Sequence, residues 1–218
     1  MSKVKGLIFD LDGVIVFTDK FHYQAWKKMA DGMGIYFDEE INNRLRGVSR
    51  MDSLEIILER YEGEPLSQEK KDALAAEKNE TYRELLKTMT PADVSQEVRD
   101  TLAKLREMGI KISLGSSSKN AKFILERVDL LDAFDAISDG TNITKSKPDP
   151  EVFLKGAEFL GLTPADCGVV EDAYAGIDAA KDGGMIGIAI GDACSYDRAD
   201  YRLNTFSDLI QVVKEINQ

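Results

Sequence analysis

The chain has 218 residues, 43% of them hydrophobic, enough to bury the core of one domain or of a domain carrying an insertion. Its 39 Asp and Glu against 28 Lys and Arg give a formal net charge of -11, which repels a phosphate backbone and argues against nucleic acid as a partner. Cys167 and Cys194 are too few for a disulfide framework, and the opening apolar stretch is too short for a signal-peptide core or a membrane span, so a cytoplasmic protein without membrane contact is expected.

In chain order, GLIF before Asp10 reads as a buried parallel strand, and it ends in Asp10-Leu11-Asp12-Gly13. From Phe17 to Met89 the pattern is helical throughout: HYQAWKKMADGMG, DEEINNRL, SRMDSLEIILERY and SQEKKDALAAEKNETYRELLKTM. QEVRDTLAKLREMG follows, a helix capped by Ser95 and stopped by Gly109. Strands IKISLG, AISD, GVV and GIAIG then alternate with helices NAKFILERV, PEVFLKGAEFLG and AYAGIDAAKDGG. This rhythm predicts an α/β fold, a doubly wound parallel sheet over residues 1–16 and 90–218, with an inserted small all-helical domain at 17–89.

Ligands of such sheets lie beyond the C-terminal strand ends, so Asp10, Asp12, Ser116, Glu171 and Asp172 are expected to converge, with Lys147 of KSKPDP as a further candidate. Carboxylates crowded at one sheet edge raise one another's pKa and call for a hard divalent cation such as Mg²⁺. Ser116 and Lys147 would then serve phosphate oxygens in phosphoryl transfer. Each residue also has a plainer reading: Glu171-Asp172 as a solvated loop, Ser116 as a helix cap, Lys147 as a surface lysine. Their common placement favours a site.

FDLDGV, the serine after the second strand, KSKPDP and VVED resemble, in order, the four motifs of the haloacid dehalogenase-like phosphotransferases. The resemblance spans essentially the whole chain, the helical insert being similar to that family's small cap. His22-x-x-x-Trp26, LRGVSRMDSL, EKN, GSSSKN, KSKPDP and VEDAYAGI together resemble its sugar-phosphate mutase branch. That likeness implies Asp10 as nucleophile, Asp12 as general acid/base, and Ser116 and Lys147 on the transferring phosphoryl group. It gives Mg²⁺ to Asp10, the main-chain carbonyl of Asp12, Glu171 and Asp172. Substrate contacts are implied for Thr18, His22, Trp26, Gly47, Val48, Ser49, Arg50, Lys78, Asn79, Ser117, Ser118, Lys119 and Asn120, with Arg50 gripping a second phosphate.

The implied reaction interconverts β-glucose 1-phosphate and β-glucose 6-phosphate, with β-glucose 1,6-bisphosphate as activator and intermediate. A sugar-phosphate phosphatase on the same fold is the nearest alternative, and a non-catalytic sugar-phosphate binding protein a further one. Nothing in the sequence calls for an obligate partner, so a monomer is expected. One departure stands out: Phe17 occupies the position before Thr18 where the family pattern has aspartate, at the predicted hinge.

Overall fold

The computed structural model describes residues 3–45 and 48–218, so Gly47, one of the expected phosphate contacts, lies outside the described residues. The chain divides into two compact units, Met1–Phe17 with Thr90–Gln218, and Thr18–Met89.

The first unit is built on a parallel sheet of six strands: β1 (Gly6–Phe9), β2 (Lys111–Gly115), β3 (Ala136–Ser138), β4 (Cys167–Glu171), β5 (Ile186–Ala189) and β6 (Tyr201–Arg202), in the order β3-β2-β1-β4-β5-β6. β1 is central because both of its faces bury side chains. Ile8 packs with Phe153, Val169 and Ala179 on one face, while Phe9 turns to the other and meets Phe134 and Phe206. Helices therefore cover both faces, which is why β1 and β4 read as unbroken apolar runs. From β1 the chain adds β2 and β3 to one side and β4 to β6 to the other, leaving a crevice at the C-terminal end of β1, where such sheets bind ligands.

Among its described residues the second unit has four helices, α1 (Asp19–Gly32), α2 (Glu39–Asn43), α3 (Arg50–Leu58) and α4 (Gln68–Leu86). Its own core gathers Trp26, Met29, Ile35, Phe37, Leu54, Ile57 and Leu74, each burial contributing roughly 1.5–3 kcal/mol. Asp38, Ser49 and Ser67 start α2, α3 and α4 by accepting a backbone N–H three residues on.

The sheet's helices are α5 (Gln96–Glu107), α6 (Ala121–Arg127), α7 (Glu151–Leu160), α8 (Tyr174–Asp182) and α9 (Leu209–Ile216). Ser95 caps α5 at Val98 N, and Val98, Thr101, Leu102 and Leu105 form its buried stripe. Two elements lie outside the sequence assignment. β6 has only two residues and pairs along one edge, too short for a strand pattern. α9 has a clear buried stripe in Leu209, Val212 and Val213, but it begins from a 3-10 turn at Phe206–Asp208 rather than from a serine cap. No helix among the described residues is long and apolar enough to cross a membrane.

Candidate active site

β1 hands the chain to Asp10, whose backbone N–H extends the ladder to Val170 O at 3.0 Å and whose side chain is nearly buried. A tight turn follows: the N–H groups of Ile15 and Val16 both donate to Leu11 O, and Gly13 N–H donates to Val16 O at 2.7 Å. Gly13 has φ +89°, and a Cβ there would lie 2.1 Å from Asp172 Oδ2. Only glycine permits both the turn and the approach of that carboxylate. Gly176, in the first turn of α8, leaves the same room for Glu171, since a Cβ would fall 2.0 Å from its Cδ.

Oxygens of Asp10, Glu171 and Asp172 lie within 4.8 Å of one another. Lys147 enters this group from the loop between β3 and α7, its Nζ 2.5 Å from Asp10 Oδ1 and 2.7 Å from Glu171 Oε2, with the Phe153 ring beneath it at 4.6 Å. Burial disfavours its charge, but Asp10 and then Glu171 outweigh burial and hold the ammonium well above the usual lysine range. Glu171 is pushed up by burial and by Asp10 and Asp172, against the pull of Lys147. Asp172 is likewise raised by burial first and then by Asp10. One lysine thus leaves the acidic group short of positive charge. Its donor set, hard carboxylate oxygens at close range, fits a divalent cation of the Mg²⁺ type.

Strand register places the neighbouring loop. Phe9 pairs with Leu114, so Gly115 and Ser116 continue β2 beside Asp10. Ser116 is buried, its N–H donating to Ser138 O and its Oγ accepting Ser118 N–H at 3.1 Å. Ser117 Oγ is buried and has no hydrogen-bond partner among the described residues. Ser118 Oγ accepts Asn120 N–H, Asn120 is buried and Lys119 is exposed. Gly140 keeps this loop in place: a Cβ there would sit 2.3 Å from Ser117 O.

The second unit carries its own polar cluster. Lys78 on α4 is 3% exposed, its Nζ 3.0 Å from His22 Nδ1, and it lies 4.4 Å from the Trp26 ring centre and 4.9 Å from that of Tyr82. The His22 ring stacks on Tyr82 at 4.1 Å, and Tyr82 OH donates to the buried Thr18 Oγ1. Burial first, then Lys78 and Arg50, hold the His22 imidazole well below its ordinary pKa. A neutral ring then accepts at Nδ1 from the ammonium. Arg50 opens α3, and burial lowers its pKa too. Ser49 Oγ caps α3, accepting Asp52 N–H and donating to Asp52 Oδ2 at 2.7 Å, so the hydroxyl expected at a phosphate already serves the helix. Val48 is exposed and Asn79 half-buried.

Two contacts here escaped the sequence reading. Phe153 beneath Lys147 follows KSKPDP by three residues, and Tyr82 sits four residues after Lys78, one turn along the same helix face. The second spacing is a readable signal, whereas the first requires the tertiary fold.

A family model for haloacid dehalogenase-like hydrolases matches residues 4–184. The chain is 42% identical over 207 residues to a β-phosphoglucomutase of Bacillus subtilis, covering 94% of this chain and 92% of the relative. It is 30% identical over 184 residues to a phosphorylated carbohydrates phosphatase of Thermotoga maritima, covering 84% and 82%. A β-phosphoglucomutase crystal structure from Clostridium difficile superposes with a TM-score of 0.90 at 36% identity, covering 98% of this chain and 97% of that one.

Proposed function

The chain belongs to the haloacid dehalogenase-like hydrolase family, and from that premise we propose that it is an enzyme interconverting β-glucose 1-phosphate and β-glucose 6-phosphate through β-glucose 1,6-bisphosphate. The observation that carries this reading is the Lys147 bridge to Asp10 and Glu171, set in a chain similar from end to end to two β-phosphoglucomutases.

In the proposed reaction an Asp10 oxygen attacks phosphorus and the bond to the sugar oxygen breaks, leaving an aspartyl phosphate. Asp12 gives its proton to that departing oxygen. In the second half-reaction a sugar hydroxyl attacks the aspartyl phosphate, Asp12 takes the hydroxyl proton, and the Asp10 carboxylate is released. Lys147 uses two of its three N–H groups on Asp10 and Glu171, leaving one for a phosphoryl oxygen as charge spreads in the transition state. The free Ser117 Oγ and the Ser116, Ser118, Lys119 and Asn120 loop orient the same group. Mg²⁺, held by Asp10, Glu171, Asp172 and the Asp12 carbonyl, would supply the missing positive charge.

The helical unit is proposed as the cap. Arg50, with Gly47, Val48 and Ser49, takes the second phosphate, and Thr18, His22, Trp26, Lys78 and Asn79 contact the sugar. A cytoplasmic monomer is the proposed setting, in keeping with two free cysteines.

The 30% identity to a sugar-phosphate phosphatase sustains one second reading, transfer to water. Purified protein given Mg²⁺, β-glucose 1-phosphate and a trace of the bisphosphate separates the two. Glucose 6-phosphate without stoichiometric free phosphate is expected; free phosphate alone would make the protein a phosphatase.

A further inference from the structure

The loop that brings Lys147 to Asp10 runs from the end of β3 to the start of α7, residues 139–150, with no regular structure of its own. A loop of that length positions a catalytic ammonium only if something other than repeating backbone pairing fixes it. Its first half is tied down locally. Asn142 Oδ1 accepts from Ser138 Oγ and Asp139 N–H, and the buried Asp139 accepts Thr141 N–H and Oγ1–H.

The second half turns on one side chain. Glu151, the first residue of α7, receives three hydrogen bonds on Oε2: Thr144 N–H at 2.9 Å, Thr144 Oγ1–H at 2.9 Å and Lys145 N–H at 2.7 Å. Lys155, one turn along the helix, stands 3.6 Å from Oε1 and also donates to Asn142 O. The backbone of Glu151 adds a further tie, its N–H reaching Asp149 Oδ1 at 3.0 Å, while Asp149 N–H donates to Ser146 O. The Thr144 and Lys145 amides hold the carboxyl down at about 2, so it is ionised throughout the working range. Ser146, Lys147 and Pro148 are the short span between these ties, and Phe153 on the same helix lies under the Lys147 ammonium.

We propose that Glu151 is a positioning residue: by clamping Thr144 and Lys145 onto the first turn of α7, it sets where Lys147 Nζ stands relative to Asp10 and Glu171. The inference rests on the reading of Lys147 as the donor to the transferring phosphoryl group. A carboxylate in a first helical turn also favours the helix through its dipole, a purely structural effect that leaves turnover alone. Glu97, in the first turn of α5 and accepting Ser207 N–H at 3.0 Å, is the matching carboxylate away from the acidic cluster.

The experiment compares full-length wild type, Glu151→Ala and Glu97→Ala by three readouts. These are Tm, the kcat and KM for β-glucose 1-phosphate, and the Lys147 ammonium resonance in ¹⁵N-lysine-labelled protein, assigned with Lys147→Arg. Glu151→Ala is expected to lower kcat by about 10-fold to 100-fold with KM within about twofold, and to shift or broaden the Lys147 resonance. Glu97→Ala should lower Tm while leaving kcat and that resonance in place. Glu151→Ala with kcat within about twofold and an unmoved resonance would overturn the proposal. If Glu151→Ala does not fold, Thr144→Val, which removes one of the three bonds and keeps the backbone, takes its place. A smaller kcat loss with a shifted resonance then supports the clamp, and no change in either refutes it. Wild type that transfers no phosphoryl group would defeat the proposed function, while the resonance still decides whether Glu151 places Lys147.

Discussion

Lys78 and Lys147 both withdraw their side chains from solvent, and their surroundings differ in kind. Lys147 stands between two carboxylates, at 2.5 Å and 2.7 Å. The contacts described for Lys78 are an imidazole nitrogen and two aromatic faces. Ion pairing of the first kind fixes a charge in one place and strengthens as water leaves. Cation–π contacts are broad and shallow, worth about 0.5–2 kcal/mol, and tolerate small displacements of the cation. The difference suits the proposed division of labour, in which Lys147 meets a forming transition state and is held by charge, while Lys78 contacts the sugar and is held by ring faces.

The largest expected effect is at the proposed nucleophile. Asp10→Asn should abolish phosphoenzyme formation and lower turnover by about 10⁴-fold or more. Trapping with radiolabelled bisphosphate checks it, and robust labelling of the variant would remove Asp10 from the chemistry. Next comes Lys147→Ala, for which kcat should fall by about 10²-fold to 10³-fold, with Lys147→Arg a poor substitute because a planar fork does not fit a site shaped for a point charge. Lys78→Ala should act mainly on KM, by about 10-fold. Equal kcat losses for Lys78→Ala and Lys147→Ala would break the contrast between the two lysines.

The regions also differ in their response to pH, with opposite signs. In metal-free protein the raised pKa values of Glu171 and Asp172 mean that the folded state keeps protons the unfolded chain has released. Their contribution to stability is therefore present in acid and lost as pH rises from the carboxylate range through neutrality. His22 is lowered, so its contribution is present above its ordinary value of 6.5 and lost as pH falls below it. Thermal melts across this range should show Asp172→Asn flattening the fall toward neutral pH, and His22→Asn flattening the fall toward acid. Added Mg²⁺ should raise Tm most at neutral pH. Unchanged slopes in both variants would sink the electrostatic account. The smallest effect is expected for Ser49→Ala, about 1 kcal/mol from loss of the α3 cap. A rise in KM beyond that stability loss would show the hydroxyl serving a phosphate as well.

The sheet was readable because its strands are buried on both faces and end abruptly in charge: GLIF before Asp10 and GVV before Glu171 carry their own boundaries. The meeting of Asp10, Glu171 and Asp172 was legible for a related reason, since parallel strands present their C-terminal ends to one edge. Glu151 was not legible. It is a glutamate opening a helix, where glutamates are common, and its three hydrogen bonds arise only when the loop folds back. Phe153 looked like any apolar position of an amphipathic helix until Lys147 lay over it. β6 offers two residues, below any pattern's reach.

The central place of β1 has a consequence for how the protein is made. Gly6 to Phe9 come before both of their sheet partners, residues 111–114 and 167–170, in the order of synthesis. The strand that leads to Asp10 must wait, unpaired and apolar, until most of the chain has been synthesised. Thr18–Met89, with a core drawn from its own helices, can fold in the interval. Slow synthesis would thus expose GLIF longer than any other strand, and a chaperone that shields short apolar segments should find its first grip there.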